Sequence, residues 1–155
     1  MPLRPQSIAN TYYFTLRLRH GHKRYLTDYP DIWFAALGRV QKELPASVNA
    51  FVLLPDHAHV IWTLPSKTGH VERCRRLCSE FSGALAQVTG ASQRLHKANF
   101  RMFKSYYPST PIYSVLELQR LRDHLHQDPV RHGLVTAPSE WRHSSGSRLN
   151  RHSSN

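Results

Sequence analysis

Between Tyr12 and Leu18, aromatic or aliphatic side chains alternate with Thr and Arg, a period of two that predicts a strand with one apolar face. The basic turn Arg19-His20-Gly21-His22-Lys23-Arg24 follows and is expected to project from the sheet. Asp28 and Pro30 then open a helix, because proline's fixed φ suits a first turn and its missing N–H costs nothing there. Trp33, Ala36, Leu37, Val40 and Leu44 recur at helical spacing until Pro45 stops the element. Asn49 to Leu53 and Ala58 to Leu64 are short β-rich runs on either side of Pro55-Asp56, which predicts two neighbouring strands.

Val71, Cys74, Cys78, Phe81, Leu85 and Val88 trace the apolar stripe of a second helix ended by Gly90, with Arg73, Arg75 and Arg76 largely off the stripe. Ala98 to Tyr107 is a weaker strand candidate before a turn from Pro108 to Pro111. Ser114-Val115-Leu116-Glu117 has the spacing of a capping box, in which Ser and Glu side chains satisfy the first free amides of a helix. That helix is expected from Val115 to Gln127, through Leu118, Leu121 and Leu125, with Pro129 closing it. From Ser144 onward apolar residues almost vanish, so residues 1–143 read as a single domain and 144–155 as a disordered basic tail. Strand, helix, two strands, helix, strand predicts an α+β fold with a mainly antiparallel sheet and helices packed on it. The last helix remains available to build a site against that sheet.

The 155 residues suffice for one domain with a sizeable core. Twenty-one Lys and Arg against ten Asp and Glu leave a net charge of +11, which points to an anionic partner. Nucleic acid is favoured, since each neutralised phosphate releases counterions, whereas membrane binding asks for a polybasic amphipathic helix that is not evident. The phosphate-contact candidates are Arg17, Arg19, Lys23, Arg24, Arg73, Arg75, Arg76 and Lys104, and Tyr106 or Tyr107 could stack on unpaired bases. Without a signal-peptide-like stretch, the chain is expected to be cytoplasmic. Cys74 and Cys78, four apart on the second helix, read as buried reduced thiols.

His57 and His59 should leave one face of a strand together, with Ala58, Val60, Trp62 and Leu64 on the other. Two adjacent imidazoles suit one divalent ion, although histidines also fill half-buried positions without a metal. His124 and Asp128, four apart, share one face of the last helix, and Asp128 could complete a two-histidine, one-carboxylate site for Mg²⁺ or Mn²⁺. The competing role for Asp128 is to start the turn before Pro129. His126 and His132 lie nearby, and His126 is expected to face elsewhere on the surface.

The stretches Val52-Leu53-Leu54-Pro55-Asp56-His57-Ala58-His59-Val60-Ile61-Trp62-Thr63-Leu64-Pro65 and Asp128-Pro129-Val130-Arg131-His132-Gly133-Leu134-Val135, with Trp141 and Ser144-Ser145, resemble the REP-associated tyrosine transposases of the HUH superfamily. The resemblance spans roughly residues 10 to 145. It implies a ferredoxin-like domain whose histidine pair and a polar side chain on a late helix hold Mg²⁺ or Mn²⁺. It also implies a substrate of single-stranded DNA beside a short palindromic hairpin, and a homodimer as the active form. In that family a helix tyrosine attacks phosphorus, forming a 5′-phosphotyrosine and freeing a 3′-hydroxyl.

This chain departs from the pattern at two positions. Asp128 replaces the family's metal-binding amide, and His124 stands where the tyrosine belongs. Tyr113, eleven residues upstream of His124, would lie about 16 Å away along a continuous helix at ~1.5 Å per residue. Three readings follow: His124 is itself the nucleophile, the protein is a domesticated DNA-binding remnant without cleavage, or water attacks with His124 as general base. An RNA-binding module on the same architecture is a fourth.

Overall fold

The computed structural model describes residues 7–19, 23–66, 69–90 and 102–147. Strand β1 (Ser7–Arg17) is followed by a short helix α1 (Tyr25–Asp28) and by α2 (Pro30–Glu43). The hairpin β2 (Ser47–Leu53) and β3 (His57–Thr63), helix α3 (His70–Thr89), strand β4 (Ser109–Ser114) and helix α4 (Val115–Arg131) complete it, with a 3-10 turn at Pro138–Glu140. The sheet has the order β2-β3-β1-β4 and every pairing is antiparallel. This is the ferredoxin-like α+β arrangement with an added C-terminal helix.

The two sheet faces bury different elements. Phe14, Leu16, Ala58, Val60 and Trp62 meet Trp33, Ala36 and Val40 of α2 and Cys74, Leu77, Phe81 and Leu85 of α3. Ala50, Val52, Ile61 and Ile112 on the opposite face meet Leu118 and Leu125 of α4. Each large apolar side chain buried this way contributes about 1.5–3 kcal/mol, so both layers are firmly held. Both cysteines are buried free thiols, as their spacing predicted. Val71 and Val88, at the ends of the expected stripe, are exposed.

The last strand is not the aromatic stretch read from the sequence. Residues 98–101 lie outside the described residues, and Met102 to Tyr107 form no strand beyond a bridge between Phe103 and Leu18. The strand is instead Ser109–Ser114, which begins inside the expected turn and runs beyond it. Pro111 is tolerated there because β4 is an edge strand, where a missing N–H on the outer side breaks no ladder.

Helix α4 starts as expected: Ser114 Oγ accepts from Glu117 N at 3.1 Å, and Glu117 Oε2 accepts from Tyr113 N at 3.3 Å. It does not stop before Pro129 but runs through to Arg131. A proline so close to the end deletes only one helical hydrogen bond. The final turn is closed by His132 N to Asp128 O at 3.0 Å, Leu134 N to Pro129 O at 2.9 Å, and Gly133 at φ +72°, the left-handed cap that glycine adopts freely.

Of the segment expected as tail, Ser144 to Ser147 are described. Ser144 bridges Val52, Ser145 N donates to Phe51 O at 3.0 Å, and Leu53 N donates to His143 O at 2.8 Å. These bonds, with Trp141 Nε1 donating to Leu53 O at 2.7 Å, cover the outer edge of β2. Among the described residues no helix is long and apolar enough to cross a membrane.

Candidate metal centre

His57 and His59 stand on the α4 face of the sheet at the start of β3, directly across from Arg17 and Thr15 of β1. Alternation along β3 sends Ala58 and Val60 into the opposite core, which anchors the strand and fixes both rings. His57 Nδ1 donates to Asp56 Oδ1 at 2.8 Å. A carboxylate only accepts, so Nδ1 carries the proton of this contact and the ring is held in place. His59 Nδ1 shares a 3.0 Å hydrogen bond with Thr15 Oγ1. A hydroxyl can donate or accept, so either tautomer of His59 is satisfied there.

Asp128, buried on α4, reaches down between the rings: its Oδ2 lies 2.8 Å from His59 Nε2 and 3.9 Å from His57 Nε2. Arg131, one turn on, donates to Asp128 Oδ1 at 2.6 Å and to His124 O at 2.7 Å. Burial pushes the Asp128 carboxyl up, but the imidazoles of His57 and His59 and the Arg131 guanidinium outweigh it and hold the group well below the usual carboxylate range. Burial also lowers His59, partly offset by Asp128, so its imidazole is neutral near pH 7, the form that binds metals. The imidazoles of His57 and His59, each tied at Nδ1, stand beside one ionised carboxylate, donor types that a divalent ion takes.

His132, at the C-terminal cap of α4, also faces the cluster: its Nε2 is 3.9 Å from Asp128 Oδ1 and its ring centroid 5.3 Å from that of His57. Sequence reasoning passed it over because it ended the helix before Pro129. With the helix continuing, Asp128 and His132 become an i, i+4 pair on one face. That spacing was the signal that could have found it. Thr15 and Asp56 had no comparable signal, because their role depends on strand register. His124 is exposed one turn before Asp128, and its imidazole makes no hydrogen bond or ion pair among the described residues.

The predicted DNA contacts separate into two groups. Arg17 shares the site face with His57, and Lys104 N donates to Arg17 O at 2.8 Å, so Arg17, Arg19 and Lys104 gather at the site end of the sheet. Tyr106 is three-quarters exposed there, with a free ring face. Lys23 and Arg24 are exposed beside α1, Arg24 within 3.9 Å of Asp28. His20 to His22 lie outside the described residues.

The α3 cations and Tyr107 stand elsewhere, with partners of their own. Arg73 is buried: its guanidinium donates to Leu44 O and to Pro45 O, and lies 5.6 Å over the Trp62 ring. Buried there, it caps the end of α2. Arg75 is paired with Glu72 at 2.6 Å and Arg76 with Glu43, on the sheet face away from the histidines. Tyr107 is partly buried and packs against the first core.

A four-stranded antiparallel sheet with a His-x-His pair beneath a late helix defines the class as an α+β protein of ferredoxin-like fold. The REP-associated tyrosine transposase of Escherichia coli strain K12 is 29% identical over 134 residues, 86% of this chain and 74% of that protein. A protein of Haemophilus influenzae that provisionally carries the same name is 27% identical over 139 residues, 86% of this chain and 78% of its own length. In structure the chain is similar to a REP-associated tyrosine transposase bound to a REP hairpin, with a TM-score of 0.73, 24% identity, and coverage of 94% of this chain and 81% of that one. No family model matches the chain. The chain is thus similar to the REP-associated tyrosine transposases, the resemblance that its two motifs carry.

Proposed function

We propose that this protein binds single-stranded DNA beside a short palindromic hairpin and holds one phosphate of the strand at a divalent-metal site formed by His57, His59 and Asp128. The observation that carries this reading is the convergence of both imidazoles on Asp128, with each Nδ1 already satisfied. The solved neighbour bound to a REP hairpin supports the choice of DNA. Mg²⁺ or Mn²⁺ bound there would supply Lewis-acid polarisation of a phosphate oxygen. Arg17, Arg19, Lys104 and Arg131 line the approach with positive charge, and Tyr106 offers a stacking surface. The chain through Ser147 works as one domain, and a homodimer is the active form.

Strand cleavage is assigned to His124, which occupies the family's tyrosine position. A lone pair of its neutral imidazole attacks phosphorus, an N–P bond forms, and the P–O3′ bond breaks. The departing 3′ oxygen takes up a proton, balanced by the proton that the other ring nitrogen gives up. The second reading, a DNA-binding remnant without cleavage, is favoured by the loss of the tyrosine itself, since α4 contains none.

The test incubates the purified protein with a labelled hairpin carrying single-stranded flanks, with and without Mn²⁺. Acid-labile protein-linked strand, lost in His124→Ala, supports His124 as nucleophile. Cleavage that survives this change overturns it, and tight hairpin binding without cleavage establishes the remnant. Stronger binding to duplex RNA than to the hairpin overturns the DNA reading.

A further inference from the structure

We propose that His132 is a fourth protein ligand of this centre, and that it shifts the site's preference from Mg²⁺ toward Mn²⁺ and later first-row ions. The inference rests on the metal reading above and extends it. One ligand atom each from His57, Asp128 and His132 lie within 4.8 Å of one another. Donors on a single ion with bonds of ~2.1 Å sit about 3 Å apart when adjacent and about 4.2 Å when opposite. The separation of 3.9 Å between His132 Nε2 and Asp128 Oδ1 already falls in that range. The His132 side chain is half exposed, so its imidazole can swing inward at little packing cost.

The placement has a physical origin in α4. Pro129 does not end the helix, so the turn after Asp128 brings His132 back over the same face. Gly133 then turns the chain away. A set of two imidazoles and one carboxylate accommodates Mg²⁺, which favours oxygen donors and retained water. A third imidazole discriminates against it, because nitrogen ligands suit transition ions better. His132 also stands at the solvent side of the cluster, whereas His57, His59 and Asp128 are at most 12% exposed in their side chains.

The test titrates chelator-treated full-length protein with Mn²⁺, reading the loss of the free-ion paramagnetic resonance signal, and then adds Mg²⁺ as competitor. Wild type is expected to take up Mn²⁺ and release it only at large Mg²⁺ excess. His132→Ala should weaken Mn²⁺ uptake about tenfold or more and make Mg²⁺ a better competitor, with the metal-free unfolding midpoint unchanged. Mn²⁺ uptake by His132→Ala within about twofold of wild type, while His57→Ala abolishes it, overturns the role of His132 and leaves the metal site standing. No Mn²⁺ uptake by wild type overturns both.

Discussion

His59 Nε2 lies 2.8 Å from Asp128 Oδ2 while its Nδ1 lies 3.0 Å from Thr15 Oγ1, so one imidazole ties β1, β3 and α4 together. In the metal-free protein Nε2–H donates to Asp128 and Nδ1 accepts from Thr15. A metal at Nε2 requires the other tautomer, in which Nδ1–H donates to the same hydroxyl. Thr15→Val keeps the shape and removes that partner. It should lower Mn²⁺ affinity about tenfold by calorimetry and cost about 1 kcal/mol of stability. Unchanged affinity would show that the hydroxyl does not govern the tautomer.

Arg73 is predicted to matter for folding and not for DNA. Arg73→Met strands the Leu44 and Pro45 carbonyls at the end of α2 and should destabilise the protein by about 1.5–3 kcal/mol in urea unfolding. Arg75→Met, which breaks only an exposed pair, should cost no more than about 0.5 kcal/mol. Hairpin affinity at fixed salt should stay within about twofold of wild type for Arg73→Met. A loss of tenfold or more in the folded variant would return Arg73 to the DNA interface.

Alkaline pH should destabilise the fold. Burial raises Cys74 and Cys78 above the ordinary thiol value, burial and the charge of Asp128 raise Tyr13, and burial with the neighbouring thiols pushes Tyr107 up to about 12. Unfolded thiols and phenols lose protons near pH ~8.5 and ~10, before the folded ones do. The unfolded state therefore binds fewer protons above that range, and stability that is complete below pH ~8.5 falls as pH rises. The urea midpoint should drop steadily between about pH 8.5 and pH 11, and both thiols should resist alkylation until the protein unfolds. A flat midpoint across that range would contradict the burial of these groups.

Much of the centre was legible in the sequence because it rests on local periodicity. Alternation along a strand placed His57 and His59 on one face, and the i, i+4 rule placed Asp128 on a helix face with the Ser114 and Glu117 cap marking its start. Less legible was any position where a local rule met a tertiary context that changed its outcome. Pro129 is a helix breaker in isolation, yet so near the C-terminus it costs a single hydrogen bond. Pro108 and Pro111 suggest a turn, but Pro111 lies within an edge strand, where a missing N–H is tolerated.

Side-chain partners were decided only by the folded chain. Arg73 looks like a surface cation on the helical pattern, until α2 ends beside it with two open carbonyls. Thr15 and Asp56 became the partners of the histidine rings through strand register and hairpin geometry, which no residue count reveals. The sequence by itself determined the α+β order of elements, the cationic balance and the pair of histidines, because periodicity, composition and alternation are properties of the chain. Only the tertiary structure decided that His132 stands beside His57 and Asp128, since that depends on how far α4 runs before Gly133 turns the chain away.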